Sequence, residues 1–370
     1  MRVRDFGVVP GRLPTGGRNA IIDVPGVRVG HVTLIEGEGD LSPVGPVRTG
    51  VTAIVPHGES LYHHKVSAGC YTINGFGKAV GFEQIRTRGQ IETPILLTNT
   101  LAIGRTADAL IGYMLDQHPE IGLTSGTVCP VVGECYDGFL NNARGRSLFD
   151  HQVREAIQSA SVENMSEGCI GAGTGTAAFG FKGGIGTSSR VVRDAYTVGA
   201  LVQTNYGERA ELSFLGVPLG QHLLDDFLPV AGAHSQQSYA ARGGSIMFVI
   251  ATDAPLDSRQ LTRLASRAAL GLARTGTVSH DQSGDFVIAF STAHRWEHKP
   301  SALHRAIDIV PEGGDLMNGL FLAVVESVEE AILNAMTAAR DMTGRDGNTL
   351  YALPHDVLTH WLKYYRRIAS

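Results

Sequence analysis

The stretch from Arg242 to Asp253, Arg-Gly-Gly-Ser-Ile-Met-Phe-Val-Ile-Ala-Thr-Asp, constrains this chain more than any other. Ile246 to Ala251 is an unbroken run of branched, aromatic and small apolar side chains closed by Thr252-Asp253-Ala254-Pro255. A short apolar run ended by a turn predicts a buried core strand. Ser245 opens that strand directly after two glycines. The residues before it, from Ser235 to Gly244, are small and polar and predict an exposed connection that is easily cut.

A cut after Gly244 would make Ser245 a new N-terminus, and it has a chemical logic. Glycine admits strained backbone conformations and leaves its carbonyl open to the hydroxyl of the next residue. The peptide becomes an ester and then hydrolyses. What remains is a hydroxyl and a free α-amine on one residue, the amine with a reference pKa of about 7.7–8.0, so that nucleophile and base come as a unit. Taken alone, Gly-Gly-Ser is also what an ordinary turn before a strand contains.

Composition narrows the class. Hydrophobic residues make up 43% and charged residues 18% of 370, which describes a folded protein with a large core rather than a disordered one. Forty-six glycines exceed the usual share and demand many tight turns or close backbone approaches. The net charge of −5 and the lack of a basic block argue against a nucleic-acid partner. The basic N-terminus is followed by no apolar leader segment, and no run of about 18 apolar residues occurs. A cytoplasmic protein without membrane attachment is expected. Cys70, Cys129, Cys135 and Cys169 lack CxxC spacing, and the fourteen histidines form no HExxH pattern, so no metal and no cofactor is expected. His63-His64 reads as exposed loop.

Along the chain, Asn19 to Thr33 reads as two short strands broken at Pro25-Gly26, and Arg48 to His57 as another strand. Ile95 to Asn99 is a strand, Thr106 to Leu115 a helix, and Thr127 to Gly138 a strand running into a polar tip at Glu134 to Gly138. Asp150 to Ser161 has helical spacing. The glycines at 171, 173 and 175 invite comparison with a nucleotide-binding loop, but a helix precedes them and glycine punctuation continues to Gly186. They are expected instead to form a closely packed hairpin or loop. Tyr196 to Asn205 is a strand with Asn205 at its tip. Ser258 to Leu272 reads as a helix stopped by Gly276, Ser283 to Ser291 as a strand, and Ser327 to Met342 as a helix opened by a capping box of Ser327 and Glu330. Grouped strands followed by helices predict sheets covered by helices. With no repeat and no change of composition, residues 1–370 form a single domain.

Ser283 and Asp285 are two apart on an extended segment and project from one face. If their strand adjoins that of Ser245, the carboxylate can polarise Ser283, which in turn can bond Ser245 or its amine. Asn205 and Tyr136 could donate to an oxyanion, and Glu134 could hold a substrate ammonium. Each also has an ordinary structural role open to it, as a turn cap or a half-buried strand residue. Cys135 lies between Glu134 and Tyr136, but nothing near it in sequence would activate it.

Several long motifs in order resemble one family along nearly the whole chain. They are Asn19 to His31, Leu97-Thr-Asn-Thr-Leu-Ala-Ile-Gly104, Gly171 to Thr176, Lys182 to Arg190, Thr204-Asn-Tyr-Gly207, Gly244-Ser245 and Ser283-Gly-Asp285. The chain is similar to the DmpA/BapA-type self-processing aminopeptidases, which include L-aminopeptidase/D-esterases and β-peptidyl aminopeptidases. The resemblance implies a four-layer α/β/β/α sandwich of the N-terminal-nucleophile-hydrolase kind, and cleavage between Gly244 and Ser245 into pieces 1–244 and 245–370. It also implies a homo-oligomer of the processed chains, a tetramer. It further implies metal-independent release of N-terminal residues from short peptides, amides and esters, β- and D-amino-acid ones among them. In that scheme Ser245 carries the acyl group, Asn205 and Tyr136 face the oxyanion, Ser283 and Asp285 assist, and Glu134 binds the free amine. Gly244 and Asp285 are slightly closer to the α-amino-acid branch, which leaves the β-peptide preference open. Two alternatives stand beside this: an acyltransferase resembling the ornithine acetyltransferases, where threonine rather than serine is expected at the new N-terminus, and an unprocessed binding protein.

Overall fold

The computed structural model describes residues 1–40, 42, 45–163, 165–235, 239 and 243–369. Of the connection expected over 235–244, residues 236–238 and 240–242, Arg242 included, lie outside the described residues.

In chain order the strands are β1 (Arg28–Glu36), β2 (Val47–Val55), β3 (His64–Gly75), β4 (Ala79–Val80), β5 (Gln90–Ile91), β6 (Ile95–Asn99), β7 (Val131–Cys135), β8 (Ala177–Ala178), β9 (Phe181–Lys182), β10 (Ile185–Val192), β11 (Tyr196–Asn205), β12 (Gly243–Thr252), β13 (Gln282–Glu297), β14 (Met342–Thr343) and β15 (Thr349–Leu350). The helices are α1 (Phe82–Arg88), α2 (Ile103–Gln117), α3 (Asp150–Gln158), α4 (Leu219–His222), α5 (Ser258–Ala265), α6 (Ala268–Arg274), α7 (Asp315–Thr337) and α8 (His355–Tyr364). Two sheets dominate, one ordered β1-β2-β6-β7-β4 and the other β10-β11-β12-β13-β3-β5.

The apolar run of β12 shows how these sheets stack. Ile246, Phe248 and Ile250 pack with Leu261, Leu264, Leu320 and Leu358 of the helices. Met247, Val249 and Ala251 pack with Ile54, Ile95, Leu97 and Val131 of the facing sheet. Alternate side chains of one strand therefore belong to two different cores, which is why the run has no polar face. On the far side, Val51, Ala53, Leu96 and Val132 meet Ala109 and Leu110 of α2 and Val153 of α3. The layers run helix, sheet, sheet, helix, the expected α/β/β/α sandwich. Among the described residues no helix is long and apolar enough to cross a membrane.

The glycine-rich segment is closely packed against its neighbours. A Cβ on Gly50 of β2 would lie 2.3 Å from the Gly171 carbonyl oxygen. Backbone approach of that kind requires glycine, and the segment continues as the short β8–β9 hairpin into β10.

Three local expectations need correction. Residues 21–23 form a 3-10 turn rather than a strand, because the Asp23 carboxylate accepts the N–H groups of Arg18 and Ala20 and closes the backbone on itself. The helix expected over 258–272 is two, α5 and α6, with an interruption at Ser266-Arg267. The helix expected to start at Ser327 starts at Asp315. Ser327 and Glu330 sit in its buried middle, where Glu330 pairs with Arg190 and Arg4 instead of capping an end.

Candidate active site

Five strand ends converge at one edge of the sandwich. There β11 ends at Asn205, β7 at Cys135 and β3 at Gly75, while β12 begins at Gly243 and β13 at Gln282. A cleft of about 320 Å³ opens over them, lined by Glu134, Tyr136, Asn205, Gly244 and Ser245, with Phe76, Phe139, Tyr239 and Leu350 supplying apolar wall.

Ser245 is buried at the cleft floor. Its strand pairs antiparallel with β11, which sets Ser245 opposite Asn205, and parallel with β13, which sets it opposite Gly284. Ser245 shares the face of Met247, so its hydroxyl points between the sheets toward the end of β7. There the backbone N–H of Tyr136 donates to Ser245 Oγ at 3.2 Å. The group that reaches the serine is thus the amide of Tyr136; its phenol lies against Gly138, where a Cβ would stand 2.2 Å from the Tyr136 hydroxyl.

Asn205 Oδ1 accepts the Ala177 N–H at 3.1 Å. With that oxygen occupied, Nδ2 is the end of the amide left to donate. Gly244 is enforced by the neighbouring strand, since a Cβ there would lie 2.8 Å from the Asn205 carbonyl oxygen and 2.9 Å from Tyr206 Cα.

Ser283 and Asp285 are joined as expected, Ser283 Oγ donating to Asp285 Oδ1 at 2.6 Å. The parallel register sets their relation to Ser245. Ser283 stands opposite Gly244 and Asp285 opposite Ile246, so both side chains point to the helix-covered face, away from the Ser245 hydroxyl. What they can address is the backbone around the Gly244–Ser245 link. Burial pushes the Asp285 carboxyl up from the ordinary aspartate range, while hydrogen bonds from Ser279, Ser283 and the Ile246 N–H draw it back. Ser279, whose hydroxyl donates to the second oxygen of Asp285, escaped the sequence reading because it lies six positions upstream on a loop.

Glu134 is buried at the cleft wall. Its Oε1 accepts the Lys78 N–H at 3.0 Å, with Lys78 Nζ 3.8 Å away, and its Oε2 accepts from the Thr100 hydroxyl. Thr100 lies within the Leu97–Gly104 motif, so a signal for it was present. Asp137 is a second buried acid beside the cleft, held by Thr49 Oγ1 at 2.6 Å and Asn141 Nδ2 at 3.0 Å, and burial pushes it up to about 7. Cys135 is fully buried, donates to the Gln203 carbonyl at 3.3 Å, and has its thiol pushed well up by burial, which removes it as a nucleophile.

Such a site can carry acyl transfer: a hydroxyl, two N–H donors near it, a carboxylate for a cation, and a Ser–Asp pair against its backbone. The comparisons agree. The model of peptidase family S58 matches residues 19–350. The β-peptidyl aminopeptidase BapA of Sphingosinicella microcystinivorans is 41% identical over 100% of this chain and 93% of its own length. The PH0078 protein of Pyrococcus horikoshii OT3 superposes with a TM-score of 0.92 at 46% identity, covering 100% of both chains. The L-aminopeptidase D-Ala-esterase/amidase of Ochrobactrum anthropi, described as a prototype serine aminopeptidase with a variant Ntn hydrolase fold, superposes with a TM-score of 0.89 at 40% identity over 100% of this chain and 99% of its own. In fold, in the order of its motifs and along its full length, the chain belongs to peptidase family S58.

Proposed function

We infer that this hydrolase, an aminopeptidase, is a serine enzyme that activates itself by cutting the Gly244–Ser245 bond. Ser245 Oγ attacks the Gly244 carbonyl, the C–O bond forms as the C–N bond breaks, and water hydrolyses the resulting ester. The exposed α-amine of Ser245 lies on backbone that Ser283 and Asp285 flank, and these two orient it. In turnover that amine takes the hydroxyl proton as Oγ attacks the carbonyl following an N-terminal residue, and the proton passes to the departing amine. The Tyr136 N–H and Asn205 Nδ2 receive the oxyanion, each donor lowering the barrier by on the order of 3 kcal/mol. Glu134 binds the substrate ammonium, which fixes the cut to the first residue. Water then releases the acyl group from Ser245.

The observation that carries this reading is the 3.2 Å approach of the Tyr136 N–H to Ser245 Oγ on the floor of a cleft walled by the buried Glu134. Substrates are short peptides, amides and esters with a free N-terminal amine. β- and D-amino-acid compounds are included, because relatives named for β-peptides and for D-Ala esters are about equally similar, at 41% and 40% identity. The processed chains form a homotetramer and act in the cytoplasm. The acyltransferase and non-catalytic readings are not favoured, given the aminopeptidase relatives and a serine at position 245.

The decisive experiment is the denatured mass of purified protein. The 39.4 kDa chain should yield pieces of about 26 and about 13 kDa, the smaller beginning at Ser245, and Ser245→Ala should stay whole and inactive. Active protein of a single mass near the full value would sink the mechanism, as would cleavage that persists in Ser245→Ala.

A further inference from the structure

At the opposite end of β3 from the cleft, three side chains from separate segments converge. His63 lies in the turn leading into β3, while His118 and Glu120 follow α2 in the sequence His118-Pro119-Glu120. Glu120 Oε1 stands 3.1 Å from His63 Nε2 and 3.8 Å from His118 Nδ1, and one ligating atom from each residue falls within 4.8 Å of the other two. We propose that His63, His118 and Glu120 form a binding site for a divalent transition ion of the zinc class.

The spacing fits the chemistry. Two imidazoles and a carboxylate, each about 2 Å from a tetrahedral ion, stand about 3.3 Å from one another, so small side-chain rotations convert the observed triangle into a coordination face. Imidazole donors favour zinc, cobalt, nickel or copper over magnesium or calcium. His118 is already oriented as a ligand. Its Nε2 bonds Ser60 Oγ at 3.3 Å, the outer hydrogen bond that fixes a metal-binding histidine and turns Nδ1 toward the ion. Ser60 Oγ also accepts the His63 N–H at 3.2 Å, which ties the two ligand segments together.

The surroundings admit an ion. A pocket of about 230 Å³ between His63, Glu120, Ser125, Glu297, His298 and Lys299 leaves the fourth position open to water. Of the two lysines near the site, Lys65 is paired with Glu92, while Lys299 lies on the pocket wall beside His298. His298 packs at a tilt of 31° against Tyr62 with ring centres 4.3 Å apart and bonds Ser125 Oγ at 2.8 Å, closing the wall of the site. The twelve residues of β3 separate this cluster from the cleft by roughly 35 Å. The ion is therefore remote from peptide hydrolysis: it would clamp the α2 end to the start of β3.

The test uses full-length protein stripped with a chelator and desalted. Titration with Zn²⁺ against a chromophoric competitor should give one ion per chain, and Co²⁺ should give the intense visible absorption of a tetrahedral N/O site. His118→Ala and Glu120→Gln should each weaken Zn²⁺ binding at least about tenfold. Melting temperatures in chelator verify that each variant folds, and His63→Gln replaces any that does not. Failure of the wild type to take up one equivalent, undiminished affinity in the folded variants, or a weak octahedral cobalt spectrum would each overturn the site. Chelator treatment should leave aminopeptidase turnover of the wild type unchanged, whereas loss restored by Zn²⁺ would overturn the claim that the ion is remote from the reaction.

Discussion

Asn205 accepts the Ala177 N–H through Oδ1, which orients its amide and leaves Nδ2 to donate. Asn205→Ala should lower kcat about 100- to 1,000-fold with little change in KM, the signature of a donor used mainly in the transition state; a rise in KM alone would remove it from the oxyanion site. Asp137 tests the electrostatics of the same cleft. Its folded-state pKa of about 7 lies above the ordinary 3.8, so the folded form binds its proton more tightly than the unfolded chain. The stabilisation from that proton is complete below about pH 4 and is lost as pH rises through about 7. Asp137→Asn should therefore melt close to the wild type near pH 4 and progressively above it as pH rises to about 7, with the difference levelling off beyond. A difference in melting temperature that does not change with pH would mean the buried carboxyl is not protonated as its surroundings require. At this scale the sequence brought out side chains that the fold gathers at the cleft and one hydrogen-bonded pair, Ser283 with Asp285. It could not show which way that pair faces, because the facing is set by the parallel register that puts Gly284 beside Ser245.

Between elements, the contact of α7 with β10 rests on charge as well as on apolar packing. Arg190 of β10 is fully buried and reaches Glu326 Oε2 at 3.1 Å and Glu330 Oε2 at 2.7 Å. Arg4 reaches Glu330 Oε1 at 2.7 Å from the N-terminal segment, and these cations hold the Glu330 carboxyl below its usual range despite burial. Arg190→Met would leave two carboxylates short of their buried partner and should cost about 3–5 kcal/mol of stability, measurable by urea unfolding. A loss under about 1 kcal/mol would show the network to be dispensable. The same network explains the misread helix. Ser327 and Glu330 have capping-box spacing, yet glutamate is there to meet Arg190, a partner 140 positions away that no local window contains. β12 was legible because an apolar run covered on both faces declares itself in six residues. The break between α5 and α6 was not, since its apolar face continues through the interruption.

For the whole molecule, the layer order followed from grouped strands and helices together with the family resemblance, whereas the pairing that builds the cleft is long-range and left no local trace. All of β13, and β12 from Ser245 onward, lie after Gly244, and in the sheet these strands stand between β11 and β3, which both lie before it. A chain cut at Gly244 is thus expected to stay one particle. Native light scattering should never resolve the two pieces, while denaturing mass measurement always does; their separation in native buffer would contradict the strand order.

That interleaving has a bearing on how such an enzyme can be made. The smaller piece carries β12 and β13 as a wedge, paired to each other and, on their outer edges, to β11 and β3 of the larger one, and the larger piece without it holds two half-sheets with a gap between them. Each half alone would present raw strand edges that invite aggregation. Under the proposed self-cleavage the uncut chain would be its own assembly template and the cut would come last, so that scission would record that folding had already succeeded. Expressing residues 1–244 and 245–370 as separate polypeptides would discard that order of events, even though every residue of the finished enzyme would be present.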